Sequence, residues 1–81
     1  MNTLVKKRET AFATDIWFAN HKLYVMLADG RELAVPIDWF PRLRDATDKQ
    51  REKWRFIGRG QGIHWDDIDE DLSVAGLLDL G

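Results

Sequence analysis

The stretch DIWFANHKLYVMLADGRELAVP, residues 15–36, carries the pattern that decides the fold. It contains two runs rich in aromatic and β-branched residues, Asp15–Ala19 and Lys22–Ala28, and a shorter run at Glu32–Val35. The second run places Leu23, Val25 and Leu27 on one face and Tyr24 and Met26 on the other. This alternation has the two-residue period of a strand, so we interpret all three runs as β-strands.

Short turn sequences separate the three predicted strands. Asn20 and His21 form a two-residue connection, and Asp29-Gly30 follows the second run. Glycine supplies the positive φ that a tight hairpin requires, and Asn and Asp favour turns. Pro36 has no amide donor and fixes its own φ, so the third strand should end there. The sequence therefore predicts a three-stranded antiparallel meander.

Beyond Pro36 the sequence predicts short elements rather than long ones. They are an apolar segment with Pro41 that covers the sheet (37–43), a helix after a Thr47/Gln50 capping box (48–54), a brief strand (55–57), an acidic connector (66–71) and a last helix capped by Ser73 and ending at Leu80. We therefore predict a two-layer α+β fold in which short helices pack on the meander.

Length and composition limit the chain to one small domain. It has 81 residues, 44% of them hydrophobic and 32% charged, which is typical of a folded globular protein. We divide it into a partly flexible N-terminal segment (1–14) and a single domain (15–81). There is no Cys for a disulfide or thiolate zinc site, and no cofactor is predicted. Without a secretory signal or an 18-residue apolar run, we expect a cytoplasmic protein with no membrane association.

Charge is distributed unevenly although the net charge is only −2. Residues 42–59 contain seven basic and three acidic side chains, whereas residues 64–81 contain six acidic side chains and no Lys or Arg. One interpretation is that these are two solvated faces that oppose each other within the monomer. The other is that one of them meets a charged partner.

The chain contains three candidate chemical motifs, and two of them lack the spacing or the residue types that their chemistry requires. The glycines of residues 58–62 (GRGQG) match neither the dinucleotide fingerprint nor the Walker loop. The aspartates at 67, 69 and 71 resemble the start of a calcium loop, but Leu72 and Leu78 occupy positions that need Gly and Glu. His64 lies beside Asp66 and is interpreted as a structural histidine rather than a general base. We therefore predict that the chain is not an enzyme.

Nucleic acid is the alternative partner, because aromatic side chains are interleaved with the basic ones in residues 42–59. Phosphate contacts and base stacking would then involve Arg51, Arg55 and Arg59. A pI of about 5.6 argues against strong binding of this kind.

Two longer segments resemble a known family. They are DGRELAVPIDWFPRL at residues 29–43 and IGRGQGIHWDDIDEDLSVAGLL at residues 57–78, joined by a Thr-capped helix. The chain resembles the family catalogued as domain of unknown function 2442 over residues 16–78. Ile68 stands where Leu is common in that family, and Asp66 where Pro is common.

The resemblance implies a small bacterial or phage domain with a compact two-layer α+β fold and no established enzymatic activity. Some relatives carry a helix-turn-helix domain, and many are encoded beside a small partner in what look like toxin–antitoxin pairs. We therefore expect an antitoxin-like or inhibitory module that binds a toxin, a nuclease or a host nucleic-acid-binding complex. Apart from the resemblance, the small size of the chain and its apolar C-terminal helix leave a homodimer open as an alternative to a monomer. The predicted contact residues are His64, Trp65, Asp66, Asp67, Asp69, Glu70 and Asp71.

Overall fold

A computed structural model describes residues 11–80. Within this range the chain forms two three-stranded antiparallel sheets and a few short helices. The elements in chain order are β1 (Ala13–Ala19), β2 (Lys22–Leu27), β3 (Glu32–Pro36), α1 (Pro41–Arg44), α2 (Asp48–Arg51), β4 (Trp54–Ile57), β5 (Gly62–Trp65), β6 (Glu70–Ser73) and α3 (Val74–Leu80).

The first sheet is the predicted meander, with the strand order β1-β2-β3. Asn20 and His21 both adopt positive φ in the first turn, at 53° and 60°, and Gly30 adopts a φ of 96° in the second. These values are those of tight hairpin turns. Strand β3 ends at Pro36 as predicted. Strand β1 begins at Ala13, two residues before the predicted start, and its pairing with β2 contains a bulge between Ala13 and Asp15.

The second sheet has the order β4-β5-β6 and was only partly predicted. The brief strand at 55–57 is confirmed and begins one residue earlier, at Trp54. The predicted helix 48–54 is shorter, because α2 ends at Arg51. The acidic connector predicted at 66–71 is confirmed in its first part, where a turn spans residues 66–69. It is wrong in its last part, where Glu70 and Asp71 begin strand β6 and pair with β5.

Side-chain caps mark the starts of helices α2 and α3. The hydroxyl of Thr47 accepts a hydrogen bond from the Gln50 amide at 3.1 Å, and the Gln50 side chain accepts one from the Thr47 amide at 2.9 Å. This is the predicted capping box. The Ser73 hydroxyl accepts a bond from the Gly76 amide at 2.9 Å, which confirms the predicted cap of α3.

The core lies between the two sheets. It combines inward-facing residues of the first sheet with residues of the second sheet and the helices; the fully buried large side chains are Leu23, Val25, Leu43, Ile63, Trp65 and Val74. Because one face of the first sheet is buried, its register is firmly specified. In the second sheet, Trp54, Phe56 and Leu72 are partly buried and pack against the same core.

A glycine lets the link between β4 and β5 approach the first sheet. Gly60 is buried with a φ of 100°, and a Cβ at this position would lie 2.3 Å from the carbonyl oxygen of Ala13. Only glycine fits such an approach without displacement of the backbone. The GRGQG segment is thus a structural loop that joins the two sheets.

The predicted N-terminal segment and the predicted absence of a membrane span both extend to residues outside 11–80, the part of the chain that the structure describes. Residues 1–10 of the predicted N-terminal segment 1–14 lie outside the described residues, whereas Ala13 and Thr14 belong to β1. Within residues 11–80, no helix has the length and apolar character needed to cross a bilayer.

Candidate partner-binding site

The β5–β6 hairpin carries the predicted contact residues. His64 pairs with Asp71 across the strands and Trp65 with Glu70, so the intervening turn contains Asp66 to Asp69. Asp69 adopts a positive φ of 53°, which Asp tolerates better than most residues. We call the exposed part of this hairpin the acidic turn, defined as residues 66–71.

Trp65 holds the β5–β6 hairpin against the core. Its side chain is fully buried, its ring lies 6.3 Å from that of Phe18, and its Nε1 donates a hydrogen bond to the Arg51 carbonyl oxygen at 2.9 Å. A fully buried side chain offers no surface to another molecule. Trp65 was predicted as a contact residue, and the structure places it instead in the core beneath the site.

His64 lies between two carboxylates. Its Nδ1 contacts Asp71 Oδ1, and its Nε2 lies 2.8 Å from Asp66 Oδ1, while the side chain is only 16% exposed. The hydrogen bond to Asp71 raises the pKa of His64, and the charge of Asp66 acts in the same direction. When protonated, the ring donates to both carboxylates and links β5 to the acidic turn and to β6. Both nitrogens are then engaged, which is the arrangement of a structural histidine.

Asp66 has a second cationic neighbour. The Arg55 guanidinium lies 3.4 Å from Asp66 Oδ2, and this hydrogen bond is the largest cause of the lowered pKa of Asp66. Asp66 therefore stays ionised to lower pH than an ordinary aspartate. Its side chain is nevertheless 67% exposed, so one side of the carboxylate faces solvent.

Two further pairs cross from the basic segment to the acidic turn. Lys53 Nζ lies 3.5 Å from Asp67 Oδ2, and Arg42 Nη1 lies 3.8 Å from Asp69 Oδ2. The same Arg42 nitrogen donates a hydrogen bond to the Asp69 carbonyl oxygen. The two charged segments thus oppose each other within the monomer, as one of the two sequence interpretations proposed. The other interpretation, in which one segment meets a charged partner, is restricted to the charged groups that these ion pairs leave accessible.

Glu70 turns back on its own strand. Its Oε1 accepts a hydrogen bond from the Asp71 amide at 3.1 Å, and the residue is half-buried. Asp69, by contrast, is 91% exposed at its side chain. The acidic turn therefore presents aspartates to solvent, with Glu70 in a supporting position.

The arginines of the alternative nucleic-acid site are not brought together as free cations. Arg51 is only 19% exposed, and its guanidinium donates to the carbonyl oxygens of Leu43 and Arg44 at 2.8 and 2.9 Å. Arg55 is paired with Asp66. Arg59 is exposed, and among residues 11–80 it has no carboxylate in ion-pair contact.

The structure adds two features that the sequence analysis missed. Arg42 and Lys53 were recognised only as parts of a basic segment, and the charge counts did not indicate which carboxylate of the acidic turn each one meets. A groove of about 440 Å³ lies between β1 and the α2–β4 region, lined by Phe18, Arg51 and Trp54 among others. Within residues 11–80, no group of three His, Asp or Glu side chains is placed to hold a metal ion.

Solved structures with the same fold come from two bacteria. One is a protein of unknown function from Rhodospirillum rubrum ATCC 11170, which is 30% identical with a TM-score of 0.75 over 85% of this chain and 86% of that chain. The other is an uncharacterised protein from Chromobacterium violaceum, which is 26% identical with a TM-score of 0.74 over 89% of this chain and 68% of that one. Both support the α+β fold.

Sequence comparison agrees with these structural likenesses. No curated protein sequence matches the chain. The family model described as "Protein of unknown function (DUF2442)" matches residues 13–81, which include both sheets and α3. The resemblance found in the two long motifs is thereby confirmed, and the chain belongs to the DUF2442 family.

Proposed function

We propose that this chain is a non-enzymatic protein-binding module, of antitoxin or inhibitor type, whose acidic turn engages a basic partner. The partner class that we propose is a toxin, a nuclease or a host nucleic-acid-binding complex. Such partners carry cationic surfaces for nucleic acid, and an acidic surface can compete for them. We also propose that the protein acts in the cytoplasm.

One observation carries the proposal: the acidic turn is rigidly supported and yet open at its outer edge. Buried Trp65 and largely buried His64 hold the hairpin from below, while Asp69 is 91% exposed. A rigid surface loses little conformational entropy on binding. The geometry therefore favours a preformed recognition surface.

The internal ion pairs of the turn can exchange with those of a partner. Lys53 and Asp67 are 3.5 Å apart, Arg42 and Asp69 are 3.8 Å apart, and all four side chains are at least 41% exposed. Exposed pairs of this length are weak and screened by salt. A partner that presents several Lys or Arg side chains can replace them without unfolding the hairpin.

Affinity capture from the native host tests this proposal. We would compare the parent chain with an Asp67→Lys, Asp69→Lys variant, which spares the two carboxylates that hold His64. A matched variant, Asp38→Lys, Glu52→Lys, makes the same change in net charge at exposed residues outside the acidic turn. Circular dichroism would verify that each variant is folded.

We expect one protein partner to be captured by the parent and by the matched variant, and to be lost by the variant of the acidic turn. Capture of the same partner by all three chains would contradict the assignment to the acidic turn. Recovery of nucleic acid alone, in a salt-sensitive manner, would favour the alternative function instead.

A further inference from the structure

The outer face of the first sheet has an apolar centre and is only partly buried within residues 11–80. Its residues form three rows across the strands: Ala19, Lys22 and Pro36 nearest the first turn, then Trp17, Tyr24 and Ala34, then Asp15, Met26 and Glu32. The opposite face of the same sheet is buried in the core. Antiparallel sheets commonly expose one face, but that face is then mainly polar. Here six of the nine side chains are Ala, Pro, Met, Trp or Tyr.

The middle row is a flat aromatic surface. The rings of Trp17 and Tyr24 are stacked, with centroids 5.5 Å apart and planes only 1° from parallel. Both residues are half-buried, and Ala34 beside them is exposed. Aromatic groups with limited rotamer freedom are common at the centres of protein interfaces. The row therefore has the character of an interface centre.

Opposite charges lie at the two ends of this face. Lys22 stands in the row nearest the first turn, and Asp15 and Glu32 stand in the row at the far end. All three side chains are exposed. Four residues of strand separate Lys22 from the far row, a distance of about 13 Å. The face is thus apolar at its centre, positive at one end and negative at the other.

We propose that a second copy of this chain packs on this face, with the two-fold axis in the interface and perpendicular to the strands. This operation places the rows of one copy over those of the other in reverse order. Lys22 of one copy then lies over the far row of the other, between Asp15 and Glu32, and the aromatic rows meet at the centre. An axis parallel to the strands would instead place Lys22 against Lys22, so charge selects the first arrangement.

The proposed interface is small. Three strands about 4.8 Å apart and about 13 Å long cover far less than the roughly 800 Å² per partner of a standard stable interface. We therefore expect a weak dimer, with a dissociation constant in the micromolar range or above. The inference goes beyond the proposed function, because it uses the first sheet and leaves the acidic turn of the second sheet free in each copy.

Complementary charge reversal tests the arrangement. Lys22→Glu should weaken the homodimer by repulsion from Asp15 and Glu32, and the double change Asp15→Lys, Glu32→Lys should weaken it by repulsion from Lys22. We expect each dissociation constant to rise about tenfold or more. When the two variants are mixed, both sets of contacts become attractive again. The mixture should therefore form a heterodimer about as readily as the parent forms a homodimer.

Sedimentation velocity over a range of concentrations would measure all of these species. Lys49→Glu makes the same charge change as Lys22→Glu on an exposed residue of α2, and it should leave the parent dissociation constant unchanged. A parent that stays monomeric up to about 1 mM overturns the proposal, since this corresponds to a binding free energy weaker than about −4 kcal/mol. Variants that dimerise as tightly as the parent, or a mixture that does not recover association, overturn it as well.

Discussion

His64 couples the stability of the hairpin to pH. Its pKa in the folded protein is raised, first by the hydrogen bond to Asp71. The folded state therefore holds a proton that the unfolded state releases near pH 6.5. The stabilisation is fully present below about pH 6.5 and is lost as the pH rises through the folded pKa. We expect the urea concentration at the unfolding midpoint of the parent to decrease as the pH rises from about 6.5 through the folded pKa of His64.

Replacement of His64 separates this effect from other titrations. In His64→Gln, the fall in urea midpoint above about pH 6.5 should be much reduced. His21→Asn is the matched control, because His21 lies in the first turn with a φ of 60°, and Asn tolerates that conformation. It should keep the pH dependence of the parent. Equal pH profiles for the parent and His64→Gln would show that the carboxylates do not hold a proton on this ring.

Two glycines with similar backbone angles differ in their surroundings. Gly60 has a φ of 100°, and a Cβ there would lie 2.3 Å from the Ala13 carbonyl oxygen; Gly30 has a φ of 96° with no atom within 4 Å of its Cβ position. Alanine costs roughly 1–2 kcal/mol in left-handed backbone alone. We expect Gly60→Ala to lower the free energy of unfolding by at least about 2 kcal/mol more than Gly30→Ala does, because only at Gly60 must neighbouring backbone move to admit the new methyl group. Urea denaturation measures both, and similar losses would contradict the close approach.

One arginine of α2 is bonded to the end of α1. The Arg51 guanidinium donates to carbonyl oxygens at the end of α1 and lies 3.1 Å from Asp48 Oδ1, with only 19% of the side chain exposed. Arg51→Met keeps the apolar stem and removes these donors. We expect a loss of about 1–3 kcal/mol in the free energy of unfolding, because charge-assisted bonds to backbone are lost.

Lys49→Met provides the control for that change. Lys49 lies on the same helix and is exposed, so its replacement should alter stability by less than about 0.5 kcal/mol. If both variants unfold at the same urea concentration, the bonds of Arg51 contribute nothing. The expected loss also means that weakened nucleic-acid binding in an Arg51 variant would reflect altered folding. Arg59 is therefore the better residue for testing the alternative function.

Elements whose signals are local could be predicted from the sequence. The meander follows from alternation and from turn residues, and the caps at Thr47 and Ser73 follow from residue type and spacing. Strand β6 could not be predicted in this way. In EDLS only Leu72 is apolar, so the strand owes its place to pairing with β5 and to the contact of Asp71 with His64. Both contacts form across a hairpin, between residues 5 to 11 positions apart, and the residue types of EDLS carry no strand signal that would indicate them.

The candidate site shows the same limit. Charge counting located the acidic turn and the basic segment, and one of its two interpretations had them oppose each other. It did not indicate which cation meets which carboxylate, because Arg42 and Asp69 are 27 residues apart and only the tertiary fold brings them together. Trp65 was predicted as a contact residue together with the acidic residues that follow it. Strand alternation places it inward, opposite in direction to His64.

At the scale of the whole molecule, one side chain joins the two sheets. Trp65 belongs to β5, its ring contacts that of Phe18 on β1, and its Nε1 donates to the Arg51 carbonyl oxygen between α2 and β4. The two sheets share one core, since Ile63 and Trp65 of the second sheet are buried in the same cluster as Leu23 and Val25 of the first. The two sheets should therefore unfold together in one cooperative transition.

The change Trp65→Phe tests this coupling because it preserves an aromatic ring and removes the N–H donor. It leaves a smaller ring in a fully buried site and takes the side-chain donor away from the Arg51 carbonyl. We expect a loss of about 2–4 kcal/mol, which is a large share of the stability of a small domain. Trp39→Phe should cost less than about 0.5 kcal/mol, since Trp39 is 52% exposed. Far-ultraviolet circular dichroism in urea should show a single unfolding transition for the parent and for Trp65→Phe. The midpoint urea concentration should be lower for Trp65→Phe than for the parent. Equal midpoints, or two separate transitions in the parent, would mean that the sheets are stabilised independently of Trp65.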